Sequence, residues 1–174
     1  MEGSRFVKEH KPLIIIAALA VCGLLVFCLR PSSPVYRAIH KGAADKLQES
    51  LMSGEWVDYK TVSLVGIERS SGEVLEFSDS TVSYYLIPDL SLSMGGNEFY
   101  AKKLQSESPY ELADGKKMVV DVLGIKLNTD VTFEENGNVM VLSPSITDGE
   151  KNKKWYRKSY YVEQHPEHAA MFGE

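Results

Sequence analysis

After residue 28 this chain contains no cysteine. Its two cysteines, Cys22 and Cys28, both fall inside one uncharged run, Leu13 to Leu29, reading LIIIAALAVCGLLVFCL. The remainder therefore forms no disulfide and no cysteine-ligated metal site. That absence suits an envelope compartment and the cytosol equally. Histidine is nearly as scarce: His10, His165 and His168 lie near the chain ends, and His40 lies on a candidate helix. There is no Gly-x-Ser-x-Gly elbow, no phosphate-binding loop and no dinucleotide fingerprint. Asp79, Asp121 and Asp130 could serve acid–base chemistry, but turn and surface carboxylates are common and carry no role by themselves. No catalytic residue and no cofactor is assigned.

Positive charge is also in short supply. The chain has 19 Lys and Arg against 24 Asp and Glu, a net charge of −5. Setting aside residues 1–29 leaves 16 basic against 22 acidic residues, a domain near −6. Such a domain repels phosphate backbones, so nucleic acid is not an expected partner.

What is there begins with the apolar run. Its 17 residues carry no charge, and Lys8, Lys11 and Arg30 flank them. As a helix it would rise about 25 Å, the short end of a bilayer span. We read a short tail over 1–12 and a transmembrane helix over 13–29. Two rivals stay open. A cleaved signal peptide needs small residues at its cut site, where Phe27-Cys28-Leu29-Arg30-Pro31 stand. A lipid anchor is the other: Leu19-Ala20-Val21-Cys22 resembles the bacterial lipoprotein box, but departs from it at Val21, and the apolar run continues past Cys22. The flanking positive charges nearly balance. A short tail, one span and a folded C-terminal domain point to a single-pass protein with the domain extracytoplasmic, periplasmic or extracellular.

Residues 30–33 are a linker. Ser33 before Pro34 has the form of an N-cap followed by proline at the first helical position. Val35, Ile39, Ala43, Leu47 and Leu51 recur every four residues before Gly54. This predicts an amphipathic helix over 34–53.

From Trp56 onward short β-rich runs alternate with turn signals. The runs are 56–68, 73–78, 81–87, 90–94, 98–104, 117–126, 129–134, 138–143 and 154–163. Asn136-Gly137 predicts a hairpin with a two-residue turn. Gly66 and Gly124 read as strand glycines at bulges or barrel corners, and Pro88 and Pro144 as strand ends. Phe77–Leu104 also aligns with Phe133–Tyr160 without gaps, pairing Phe77 with Phe133, Pro88 with Pro144 and Phe99 with Trp155. We read a β domain over 54–163 with repeats 57–104 and 115–160, and a polar tail over 164–174. The expected fold class is mainly β: the two helices, then an antiparallel barrel or sandwich of about eight strands.

VTFEENGNVMVLSP followed by WYRKSYY resembles the lipocalin-like domains of secreted bacterial proteins: a hairpin about an Asn-Gly turn, then a late Trp strand. The resemblance implies a small β-barrel and, as one functional reading, a binder of a small apolar ligand.

Two stretches carry candidate binding residues. Lys154, Trp155, Tyr156, Arg157 and Lys158 combine cations with aromatics, are candidates for interaction, and suit anionic lipid head groups ahead of a single strand of nucleic acid. Tyr84, Tyr85 and Tyr100 suit an interface or a barrel mouth. His165 and His168 are weak metal candidates, a pair that supplies two ligands where zinc wants three or four. The reading is a membrane-anchored, non-catalytic protein-binding or assembly module of the cell envelope. Its partners are the membrane, through Leu13–Leu29, and an envelope protein or a second copy. The alternatives are the lipocalin-like binder and an enzyme of unidentified reaction.

Overall fold

The computed structural model describes residues 11–30, 33–64, 67–88 and 100–173, with side chains for all of these but 11–18, 62–64 and 67–69. The chain divides into two compact units, Met1–Lys41 and Gly42–Glu174.

In the first unit α1 (Lys11–Cys28) leads to the start of α2 (Pro34–Met52). Ser33 caps α2 as its sequence predicts: its Oγ accepts the Tyr36 N–H at 3.0 Å and donates to the Cys28 carbonyl at 2.7 Å. Side chains 13–18 of the apolar run lie outside the described residues. The rest of α1 rises only about 15 Å. Among the described residues no helix is long and apolar enough to cross a membrane. The expected transmembrane helix is therefore not among the elements established. What α1 does display is an apolar surface exposed all round, through Leu19, Val21, Leu24, Leu25, Val26 and Phe27.

In the second unit eight antiparallel strands close a barrel, each paired with its neighbour in sequence. They are β1 (Trp56–Leu64), β2 (Ile67–Phe77), β3 (Thr81–Pro88), β4 (Lys103–Leu112), β5 (Lys117–Val122), β6 (Ile125–Glu134), β7 (Val139–Ser143) and β8 (Lys153–Arg157). The barrel resolves the barrel-or-sandwich choice and is consistent with a lipocalin-like barrel. Closure is narrow. β1 pairs with β2 along its whole length, but with β8 only at Trp56↔Arg157 and Val57↔Tyr156. Past Val57 the two closing strands part, leaving a seam.

Several boundaries differ from the sequence reading. The run 56–68 is two strands, and its Gly66 lies outside the described residues, as do the run 90–94 and Phe99. Gly124 is no strand glycine: Leu123 and Gly124 have φ of 53° and 84° and form the two-residue turn between Val122 and Ile125. The Asn136-Gly137 hairpin is present, but four residues separate its last pair, Glu134↔Val139, because Glu135–Gly137 makes a 3₁₀ turn. The run 154–163 stops at Arg157, and residues Lys158–Gln164 form α3. β4, whose sequence is KLQSESPYEL, was read only at its first two residues. Under the repeat alignment, the hairpin β2–β3 falls on β6–β7, whereas the start of β4, Lys103 and Leu104, falls on Ser159 and Tyr160 of α3.

Alternation sorts the side chains. Trp56, Leu75, Phe77, Val82, Tyr110, Met118, Val120, Val131, Met140, Leu142 and Trp155 form the interior core. Leu47 and Leu51 of α2 join it at one end. There the Trp56 indole donates to the Leu51 carbonyl at 2.8 Å, and Gln48 Nε2 donates to the Asp79 carbonyl at 3.0 Å. On the outer wall Val57, Val74, Ile87 and Tyr161 pack with Met171 and Phe172. The expected polar tail is thus a packed segment: a 3₁₀ turn, Pro166–His168, then α4 (Ala169–Phe172) with Met171 and Phe172 buried. Gly72 admits it, since a Cβ there would lie 2.9 Å from both Met171 Sδ and a Phe172 ring carbon.

Candidate functional site

One layer along the interior from Trp56, the barrel changes character. Asp58 on β1 stands directly across from Glu73 on β2. Both continue the inward positions of Trp56 and Leu75. Lys153, inward on β8 with Trp155, reaches between them. Its ammonium donates to Glu73 Oε2 and, at 3.1 Å, to Asp148 Oδ2, and it lies 3.9 Å from Asp58. Tyr84 donates its hydroxyl to Glu73 Oε1 at 2.7 Å. Lys60 approaches Asp148 at 3.5 Å. Glu73 and Lys153 are buried, with side chains 8% and 4% exposed, whereas Asp58 and Asp148 keep 24% and 28%. The cluster lies at the seam, where β1 and β8 have parted and the 144–152 loop crosses.

Its proton affinities follow from this placement. Burial pushes the Asp58 carboxyl up, and the nearby Lys153 offsets this only in part. Burial would raise Asp148 too, but the Glu150 N–H and Lys153 override it and hold it down at about 2. Burial would lower Lys153; its bonds to Glu73 and Asp148 win, and its affinity for the proton rises. Tyr84 is raised by burial and by the Glu73 carboxylate. A nucleophilic lysine or a tyrosine base needs the opposite shift. In the fold Lys153 stays charged and Tyr84 keeps its proton.

Outside the seam a second feature opens. Asp58, Tyr59, Tyr156, Tyr160, Tyr161, Gln164 and His165 line a hollow of about 370 Å³. Such a volume is within the range of small-molecule sites. Tyr156 and Tyr161 meet at 5.7 Å between centroids, and His165 lies 4.6 Å from Tyr161.

The sequence-predicted residues scatter over these features. Tyr84 enters the interior cluster. Tyr85 faces outward under the Lys102 ammonium, 4.3 Å from its ring centroid. Tyr100 and Tyr156 pack on the outer cluster. Trp155 is fully buried in the core, its Nε1 without a hydrogen-bond partner. Lys154 pairs with Glu134 at 2.8 Å and Lys158 with Glu55 at 3.1 Å. Arg157 donates from Nε to the Gly137 carbonyl at 2.8 Å and lies 5.0 Å over the Trp56 ring. Lys154 to Lys158 is thus a row of engaged side chains rather than one basic patch. His165 and His168 come together across the 3₁₀ turn, His165 just before it and His168 at its end. Asp58, Glu73, Asp148 and Lys153 were missed as a site. The signal was parity: Glu73 shares its strand face with Leu75 and Phe77, and Lys153 with Trp155.

No protein-family model, no curated protein and no solved structure matches the chain.

Proposed function

We propose that this chain is a membrane-anchored, non-catalytic binding module of the cell envelope, with its barrel outside the cytoplasm and its recognition surface at the tyrosine-lined hollow. One observation carries the reading. Tyr59, Tyr156, Tyr160 and Tyr161 gather around one concavity on the outside of the barrel. Tyrosine supplies apolar area and a hydroxyl at low conformational cost, which suits protein recognition. The uncharged run Leu13–Leu29 and the exposed apolar side chains of α1 support the anchor, since a helix apolar on every side needs an apolar environment.

The test is site-specific photocrosslinking in the native membrane. A photoreactive residue replacing Tyr160 should capture one partner, or a second copy, in stoichiometric yield, while the same probe at exposed Thr132 on β6 should not. Equal capture at both positions, or none at Tyr160, overturns the reading. A reporter fused after Glu174 should be active only outside the cytosol.

A second reading, the lipocalin-like binder, is favoured by the closed eight-strand barrel. Trp56, Leu75, Met118, Met140, Leu142 and Trp155 already fill the α2 end, so a bound ligand would enter at the seam and meet Asp58, Lys153 and Tyr84. It would carry polar groups. Native mass spectrometry of the full chain should then show a retained small molecule that Lys153→Met releases.

A further inference from the structure

The segment His165-Pro166-Glu167-His168 follows α3 and closes a 3₁₀ turn over its last three residues. At three residues per turn, positions i and i+3 come into line. The rings of His165 and His168 accordingly stack, 5.9 Å between centroids and 24° between planes. Glu167 sits beside them, its Oε1 3.3 Å from His165 Nδ1. One donor atom from each of the three residues lies within 4.8 Å of the others. Two ligands held at 2.0–2.1 Å by one tetrahedral ion stand about 3.3–3.4 Å apart. The Glu167–His165 separation already matches that edge.

The surroundings orient the second histidine. His168 Nδ1 lies 3.0 Å from the Tyr161 hydroxyl, and its ring stacks on Tyr59 at 4.0 Å. An imidazole that gives its Nδ1–H to an oxygen leaves Nε2 as an electron-pair donor, the outer-shell arrangement of metal-ligating histidines. The turn is anchored on both sides, by Tyr161 before it and by Met171 and Phe172 after it, all buried.

We propose that His165, Glu167 and His168 form a surface site for a zinc-class divalent cation, with Tyr161 as the oxygen partner that orients His168. Two imidazoles and a carboxylate select such cations over magnesium or calcium. Three protein ligands leave a fourth position open to water or to a donor group of a bound partner. The site borders the hollow through His165, but it does not rest on that surface being a docking site.

The experiment titrates zinc chloride into the full-length, chelator-treated protein in detergent, in competition with a chromogenic zinc indicator. One ion per chain is expected. His165→Ala and His168→Ala should each weaken binding by about 100-fold or more. Tyr161→Phe keeps the ring and should weaken binding by about 10–100-fold, as loss of an outer-shell partner does. Glu167→Gln, at an exposed side chain, should weaken it by about tenfold without touching the packing, and so decides the matter if Tyr161→Phe unfolds. His40→Ala should change nothing. Failure to bind one equivalent at about 100 µM zinc, retention of binding in the His165→Ala/His168→Ala double variant, or full affinity in Glu167→Gln overturns the proposal.

Discussion

Trp56 and Asp58 leave β1 in the same direction, two residues apart, and enter the same barrel. Trp56 faces Leu75, is fully buried, and its indole N–H finds the Leu51 carbonyl. Asp58 faces Glu73, and two carboxylates on neighbouring strands require Lys153 between them. The α2 end is held by shape and area, and each side chain there contributes by removing itself from water. The seam end is held by mutual dependence: its charges were taken out of water at a cost that only the partners offset. A substitution at the first end leaves a hole; at the second it leaves an uncompensated charge. The two ends should therefore respond differently to double substitution and to pH.

Trp56→Ala should have the largest effect. Removing a buried Trp typically costs about 3–5 kcal/mol, and here the Leu51 hydrogen bond and the Arg157 stacking go with it. Denaturant unfolding of the full chain followed by far-UV circular dichroism reads the loss. Restoring volume elsewhere in the core should not recover it, because α2 loses its anchor. A loss below about 2 kcal/mol would mean that α2 is not held through Trp56.

Lys153→Met comes next, at about 3 kcal/mol or more, since Glu73 is left buried beside Asp58 without its cation. The contrast lies in the rescue. Glu73→Leu combined with Lys153→Met removes the buried pair and leaves only Asp58 and Asp148, whose carboxylates keep contact with water. Buried ion pairs replaced by packed hydrophobes are often neutral or more stable. The double variant should return to within about 1 kcal/mol of the parent. If it stays as unstable as Lys153→Met, the seam cluster is not a self-contained pair. Gly72→Ala is milder: its methyl would push on Met171 and Phe172, and overpacking of this kind costs about 1–3 kcal/mol. It should also speed proteolysis of the C-terminal segment.

The same contrast explains what could be read from the sequence. α2 was legible because Ser33-Pro34 caps it and Leu47 and Leu51 keep its period, and both signals are local. The hairpin at Asn136-Gly137 was legible as a turn, but its loop length depends on a 3₁₀ turn that propensity does not specify. The turn at Leu123-Gly124 was hidden, because Val122 and Ile125 continue the apolar run on either side of it. β4 was largely missed because most of it faces solvent; Ser108 and Tyr110 are its buried positions, with Leu112 partly so. The packed C-terminal segment was missed because Met171 and Phe172 are two apolar residues in a polar stretch, and their burial needs Gly72, a hundred residues away. The seam cluster needed strand parity to be trusted over residue type. Lys153 looks like a surface lysine until its alternation with Trp155 is followed inward. The partners that make its burial tolerable come from β1, β2, β3 and the 144–152 loop, a juxtaposition that exists only once the barrel closes.

The smallest effect separates two aspartates of that one cluster. Asp58 binds its proton more tightly in the fold than a free carboxyl near 3.8, because burial outweighs Lys153. Its contribution is thus fully favourable below about pH 4 and is lost as pH rises through the folded value; at neutral pH its ionised form is a net burden. Asp148 runs the other way. Held down at about 2, it stabilises above the free value of 3.8 and loses that contribution as pH falls from there toward 2. Asp58→Asn keeps an oxygen for the Tyr59 N–H that Asp58 Oδ1 now accepts at 2.9 Å, so it should melt slightly higher than the parent at pH 7, with the gain fading toward pH 4. Asp148→Asn should melt lower at pH 7, with that loss fading only below about pH 4, toward pH 2. Melting curves of both variants from pH 2 to 7 decide the sign. If Asp58→Asn melts lower at pH 7, the approach of Asp58 to Lys153 outweighs the burial of its carboxylate, and the seam is a four-membered ion cluster rather than a three-membered one, of Lys153, Glu73 and Asp148, burdened by a fourth charge.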